Sequence, residues 1–178
     1  LMERNALPAK TLVATVMSNL GLEKAAEAQG FKLLRTKVGD RYVLEQMLAG
    51  GYVLGGEQSG HIILLKYNTT GDGLLTALQV AAIAAEKKQT VKALAAGFTR
   101  YPQVLVNCRV DKRDGWDTHP RIRQAIHEAE AKIAGRGRLL IRPSGTEPLI
   151  RVMLEGQNEE ELHSMANELA DIIKTELT

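Results

Sequence analysis

The apolar positions of this chain form two kinds of pattern, short unbroken runs and stripes of helical period, and the two alternate along it. Thr11 to Val16 (TLVATV) is a β-branched run that predicts a strand, and Gly21 to Gln29, built largely of Leu, Glu, Lys and Ala, predicts a helix stopped at Gly30. Phe31 to Val38 predicts a second strand. Arg41 to Ala49 predicts a second helix with Leu44, Met47 and Leu48 on one face, Asp40 placed to cap it and Gly50-Gly51 ending it. Tyr52 to Leu54 and His61 to Leu65 predict two short strands flanking a glycine-rich segment. An Ala/Leu helix then runs from Asp72 to about Lys88, and Thr90 caps a shorter one, VKALAAGF. Strands alternating with helices make this first part an α/β unit.

A boundary falls at Phe98 to Pro102, and beyond it the order of elements changes. The pattern predicts a strand from Val104 to Val110, a polar loop through Asp114 and Gly115, and a helix from His119 to Ala134. Two paired strands and a last helix, Glu159 to Leu177, follow; Leu162, Met165, Ala166, Leu169, Ile172 and Ile173 give that helix one apolar stripe. This second part reads as α+β, with helices on one face of an antiparallel sheet. The division expected is therefore residues 1–99 and residues 100–178. At the amino terminus Leu1 to Arg4 resembles the last turn of a helix and Asn5 to Pro8 a helix exit, with Pro8 barring continuation. The expectation is a piece of a longer polypeptide, the alternative a ragged terminal arm.

Composition narrows the class. With 178 residues, 44% hydrophobic but only 4% aromatic, the chain has room for one large or two small domains rich in Ala, Leu and Val. A formal charge of +2 with the signs interspersed provides no footprint for a nucleic-acid partner. The single Cys108 excludes an internal disulfide, and its apolar surroundings suit a buried, inert thiol in a reducing, cytoplasmic compartment. No apolar run approaches the ~18 residues of a membrane span, and no signal-peptide pattern opens the chain.

Two loops carry candidate chemistry. Between Leu139-Leu140-Ile141 and Leu149-Ile150 lies Arg-Pro-Ser-Gly-Thr-Glu-Pro, a stretch no strand can carry. Ser144 and Thr146 offer hydroxyls, Gly145 lets the backbone approach a ligand, and Arg142 and Arg151 at the loop mouths can fork onto phosphate oxygens. Successive N–H groups in such a turn can form an anion nest. A phosphate cradle and a plain Pro/Gly turn with solvated arginines both fit these residue types. The second loop, GGEQSGH from Gly55 to His61, puts the Glu57 carboxylate and the Ser59 hydroxyl on a glycine-rich backbone suited to adjacent sugar hydroxyls. The alternative there is a tight turn with a solvated glutamate. A lone histidine opening a strand, as His61 does, is more often structural than chemical.

With both loops in view the chain resembles the carboxy-terminal part of the α-D-phosphohexomutases and, within that superfamily, the bacterial phosphoglucosamine mutase branch. The segments that carry the resemblance are collinear: VMSNLGLE from Val16, TKVGDRYVLE from Thr36, GGEQSGHIILL from Gly55, TTGDG from Thr69 and RPSGTEPLIRVMLEG from Arg142. The resemblance implies a truncated third, sugar-recognising domain (residues 1–99) and a fourth, phosphate-recognising domain (residues 100–178). It implies that Glu57 and Ser59 bind ring hydroxyls, that His61 lines the cleft, and that Arg142, Ser144, Gly145, Thr146 and Arg151 form the phosphate loop. Gly39, Asp40 and Arg41 fall in a loop to which no role is assigned.

By the same resemblance the catalytic phosphoserine and the Mg2+ ligands belong to amino-terminal domains that this chain lacks, so no catalytic or metal residue is expected here. Asp111, Asp114 and Asp117 read as a solvated turn. The implied reaction interconverts glucosamine 6-phosphate and glucosamine 1-phosphate through a bisphosphate, in amino-sugar and cell-wall precursor metabolism. The partners implied are a hexosamine phosphate and the missing domains of the same polypeptide. Gly145, where phosphomannomutases and phosphoglucomutases usually have Asn, favours the glucosamine branch. A phosphomannomutase or phosphoglucomutase relative, and a sugar-phosphate binding module without chemistry, are the alternatives.

Overall fold

The computed structural model describes all of residues 1–178 and divides into two compact units, Leu1–Arg100 and Tyr101–Thr178. In the first, β1 (Thr11–Thr15), β2 (Lys32–Thr36), β3 (Leu54–Gly56) and β4 (Ile62–Leu64) form one sheet in the order β2-β1-β3-β4. β1 runs parallel to both β2 and β3, and β4 is antiparallel to β3. Helices α1 (Leu20–Gln29) and α2 (Asp40–Gly50) make the two crossovers. The chain crosses first to one side of β1 and then to the other, so right-handed connections put the two helices on opposite faces. Val43 and Met47 of α2 close over Val13 and Ile63 to form the core of this unit, with Leu34 and Tyr52 at its margin.

Capping explains where these helices start and stop. Asn19 accepts the Gly21 N–H at 2.9 Å ahead of α1, and Gly30 and Gly51 close α1 and α2 with left-handed backbones. Asp40 is the first helical residue of α2 and Gly39 the cap, one position earlier than the pattern predicts. A glycine stands there because its φ of 131° lies where side chains rarely go. The third strand also shifts, from the expected Tyr52 to Leu54 to the observed Leu54–Gly56. Gly55 pairs with Val13, and a Cβ there would lie 2.5 Å from the Met47 sulfur and 2.7 Å from Val43 Cγ1, so the α2–sheet contact itself demands glycine inside the strand.

Helix α3 (Gly73–Lys87) starts at Asp72, whose side chain accepts the Leu75 N–H at 2.9 Å. It buries none of its side chains, and Leu74 and Leu78 stand 74% and 60% exposed. The helix predicted after Thr90 is shorter than expected: α4 (Val91–Leu94) tightens into a 3-10 turn ending at Gly97. At the amino terminus residues 1–5 form turns, and Pro8–Lys10 a short 3-10 helix.

The second unit is an antiparallel sheet of β5 (Gln103–Arg109), β7 (Leu149–Glu155) and β6 (Arg138–Pro143), in that order, with α5 (Pro120–Ile133) and α6 (Glu159–Leu177) packed on one face. Alternation decides what lies where. Val104 and Cys108 of β5, and Ile150, Val152 and Leu154 of β7, point into the core with the α6 stripe. Their neighbours in sequence must take the other face. Opposite the helices, three cross-strand rows follow from the register: Gln103–Glu155–Arg138, Leu105–Met153–Leu140 and Asn107–Arg151–Arg142. Glu155 is fully buried and is matched by Arg138, whose Nε donates at 2.9 Å. α6 begins at Asn158, which accepts the Glu161 N–H at 3.2 Å, with three glutamates in its positive first turn.

Candidate functional site

In the first unit the three parallel strands end on the same edge of the sheet, at Thr15, Thr36 and Gly56, and the chain reverses its direction of crossing between β2 and β3. Ligands of open parallel sheets sit outside the carboxyl ends of the strands at such a switch point. The GEQSGH segment emerges there. Gly55 and Gly56 belong to β3, so the loop proper is Glu57 to His61, closed by Glu57 N–H to the His61 carbonyl at 2.9 Å and Gly60 N–H to the Glu57 carbonyl at 3.1 Å. Gln58 Oε1 accepts the Thr15 hydroxyl at 3.3 Å, tying the loop to the end of β1.

The Glu57 carboxylate is already half committed. Its Oε1 accepts the Gly39 N–H at 2.8 Å, so the loop after β3 is joined to the loop after β2. That leaves Oε2 for a ligand. Ser59 is exposed and makes no internal hydrogen bond. His61 is wedged: a Cβ on Gly71 would lie 1.8 Å from its Cδ2, and its buried Nε2, without a hydrogen bond, stands 3.6 Å from Asp40 Oδ2. The structure thus brings together Gly39-Asp40, Glu57 to His61 and the Gly71-Asp72 segment. Only the second of these was a candidate for binding from its residue types.

In the second unit the phosphate-loop candidates fall where the sheet alternation sends them. Leu139 and Ile141 pack toward the helices, which turns Arg142 to the face opposite them, and the β6–β7 register sets it directly opposite Arg151. Two like charges placed directly across a strand pair repel. Arg142 has no ion-pair partner, Arg151 Nε is buried without a partner, and only Glu147, 3.6 Å from Arg151 Nη2, offsets the pair. Burial, and then the Arg151 charge, hold the Arg142 guanidinium below its ordinary pKa. An anion between the two would remove both penalties.

The loop between them is a tight turn. Ser144 is buried, its N–H donates to the Leu149 carbonyl at 2.9 Å, and its Oγ accepts the Glu147 N–H at 3.3 Å. Ser144 therefore shapes the turn from inside. Gly145 and Thr146 are exposed and their N–H groups have no partner within the protein, which leaves two amide donors and the Thr146 hydroxyl open to an anion. Gly145 has no positive φ, and a Cβ added to it would meet nothing within 4 Å, so no internal contact requires glycine there.

Two nearby residues escaped the reading by residue type. Asn107 stands beside Arg151 in the row Asn107–Arg151–Arg142, a placement set by register that leaves no mark in the sequence. Arg113 reaches from the loop between β5 and α5 and donates from Nη1 to the Ser144 carbonyl and, at 3.4 Å, to the Glu147 carbonyl. The same loop and the phosphate turn enclose a cleft of about 410 Å3 lined by Arg113, Asp114, Trp116, Asp117, Pro143 and Ser144. No three His, Cys, Asp or Glu side chains converge anywhere to hold a metal ion. The residues present do not fit Mg2+.

The model of the phosphoglucomutase/phosphomannomutase alpha/beta/alpha domain III matches residues 1–101, and that of the phosphoglucomutase/phosphomannomutase C-terminal domain matches residues 105–172. The chain belongs to the phosphoglucomutase/phosphomannomutase family. A phosphoglucosamine mutase of Symbiobacterium thermophilum is 55% identical over 174 residues, a match that covers 98% of this chain and 39% of that protein. The chain thus spans about two-fifths of the length of this relative.

Solved structures agree on the fold. The N-acetylphosphoglucosamine mutase of Aspergillus fumigatus in complex with glucose 1,6-bisphosphate superposes with a TM-score of 0.77 at 21% identity, over 94% of this chain and 39% of that one. The same enzyme in complex with GlcNAc-6P and magnesium gives 0.73 at 19% identity, over 95% and 39%. Both structures share the fold of this chain.

Proposed function

We propose that this chain is the substrate-binding part of a phosphoglucosamine mutase, the enzyme that interconverts glucosamine 6-phosphate and glucosamine 1-phosphate through a bisphosphate. Residues 1–99 recognise the sugar and residues 100–178 its non-reacting phosphate. The observation that carries the reading is the in-register pair Arg142 and Arg151 on either side of a turn with two open amide donors. A doubly cationic, partly buried site with preset donors neutralises and orients a phosphomonoester at little reorganisation cost, which is the main protein contribution to phosphoryl transfer.

In this reading Arg142, Arg151, the Gly145 and Thr146 amides and the Thr146 hydroxyl hold the phosphate, and Ser144 holds the turn. Glu57 Oε2 and the Ser59 hydroxyl take ring hydroxyls. His61, fixed between Gly71 and Asp40, lines the sugar site. The phosphoserine that exchanges phosphate, and the Mg2+ ligands, belong to further domains of the kind the longer relatives possess. The amino-sugar preference is supported by the 55% identity to a phosphoglucosamine mutase. A cytoplasmic place in cell-wall precursor metabolism is part of the same proposal. Assaying the intact enzyme on glucosamine, glucose and mannose phosphates separates this from a phosphoglucomutase or phosphomannomutase activity.

Titration of the isotopically labelled 178-residue chain tests the binding assignment. The amides of Gly145 and Thr146 are expected to shift with glucosamine 6-phosphate and with inorganic phosphate, and to ignore free glucosamine. The chain by itself is expected not to isomerise glucosamine 6-phosphate. Turnover by the pure chain, or a loop that responds to glucosamine as strongly as to its phosphate, overturns the assignment.

A further inference from the structure

We propose that Arg113 is a positioning residue for the phosphate turn, holding the Ser144 carbonyl so that the Gly145 amide faces the ligand. The inference rests on the phosphate reading of that turn.

The argument begins with peptide geometry. In a trans peptide the carbonyl of one residue and the N–H of the next point in opposite directions. The Ser144 carbonyl is held by Arg113 Nη1, so the Gly145 N–H must point away from Arg113. The bonds of Ser144 to Leu149 and Glu147 shape the turn around this peptide but do not touch it: a Cβ on Gly145 would meet nothing within 4 Å, and its N–H has no acceptor in the protein. The same guanidinium nitrogen reaches the Glu147 carbonyl at 3.4 Å, a carbonyl that also accepts the Leu149 N–H at 2.8 Å, so one side chain touches both ends of the Ser144 to Glu147 turn. The two carbonyl dipoles, which would repel an anion, are turned onto a cation.

Arg113 is itself held in place by a loop with fixed ends. The Asp111 and Lys112 N–H groups donate to the Leu177 carbonyl at the end of α6, at 3.2 and 3.4 Å. On the other side of Arg113, the Thr118 and His119 N–H groups close on the Gly115 carbonyl at 3.1 and 2.9 Å. The packed face of the unit is thereby coupled to the direction of a single amide in the candidate site. Arg113 has no ion-pair partner, so its bonds to the two carbonyls are its only attachments.

The test uses the labelled 178-residue chain, inorganic phosphate as the probe, and the variants Arg113→Ala and Arg113→Lys. The expected result for Arg113→Ala is a roughly tenfold weaker phosphate affinity, the worth of one or two hydrogen bonds from a charged donor. In the ligand-free chain the Gly145 N–H order parameter should fall from the rigid range of about 0.85 toward the flexible range below about 0.6. Arg113→Lys, which keeps one donor in reach, should restore part of both. Weakened binding with an unchanged ligand-free order parameter overturns the proposal, because Arg113 would then act by charge alone. Unchanged binding overturns it as well. Should Arg113→Ala melt below the titration temperature, the lysine variant decides: full rigidity with tenfold weaker binding refutes positioning. A wild-type chain whose Gly145 and Thr146 amides ignore phosphate refutes the phosphate site itself, a separate outcome.

Discussion

Replacing Arg151 by Met sets the stability of the second unit and its affinity for phosphate against each other. The variant keeps an apolar stem of similar length and removes the charge. Three contributions to the ligand-free chain follow from the structure. Relief of the like charge facing Arg142 contributes about 0.2–1 kcal/mol. Removal of the buried, unpartnered Nε removes a desolvation penalty of about 1–3 kcal/mol. Loss of the ion pair with Glu147, half exposed and 3.6 Å away, costs about 0–1 kcal/mol. The balance favours the variant by about 1 kcal/mol or more, and a gain of that size raises the melting temperature of a unit this large by about 4–8 °C. Phosphate affinity moves the other way. Losing one charged partner of a desolvated contact costs about 2–5 kcal/mol, and the lower end, about 30-fold in dissociation constant, suits a guanidinium still partly open to water. Differential scanning calorimetry without ligand and calorimetric titration with glucosamine 6-phosphate measure both. A variant that melts lower than the parent while binding phosphate undiminished would show that the two arginines are merely a solvated sheet face, and the site would have to be abandoned.

Three other outcomes are expected. Gly55→Ala drives a methyl group into the Met47 sulfur and Val43, so the first unit should lose about 1–3 kcal/mol, seen as a lower denaturant midpoint; an unchanged midpoint would contradict the close α2–β3 contact. Arg138→Met removes the guanidinium bonded to the fully buried Glu155 carboxylate and should cost the second unit about 3–5 kcal/mol by the same measurement, and a loss below about 1 kcal/mol would show that this ion pair contributes little to the unit. Burial pushes the Cys108 thiol above its ordinary pKa and its Sγ donates to the Ala170 carbonyl at 3.1 Å, so iodoacetamide at pH 8 should leave the folded chain unmodified and label it promptly in denaturant. Prompt labelling of the native chain would refute the packing of β5 against α6.

The elements most legible in the sequence are those whose own residues determine them. α6 spans Glu159–Leu177 as its stripe and the Asn158 cap foretell, because helix period and cap chemistry are both local. β3 was displaced by two residues because a glycine pair reads as loop, and only the distant side chains of Val43 and Met47 turn Gly55 into a strand residue. Residue type predicts Asp40, a good capping type, as the cap of α2, where the backbone of Gly39 decides otherwise. In the candidate site the arginines and the serine of the turn were readable as residue types suited to anions. Their opposition across β6 and β7, the Glu57 bond to Gly39, and the hold of Arg113 on the turn come from pairing between segments remote in sequence, which composition does not encode.

Gly145 sits at the tip of a bend with empty space around it and a backbone angle open to any amino acid. Replacements there alter only what a visiting molecule encounters, because no interior neighbour has to adjust. A lineage can therefore change the side chain at this one position while its scaffold stays untouched, and an engineer can travel the same path in a single step.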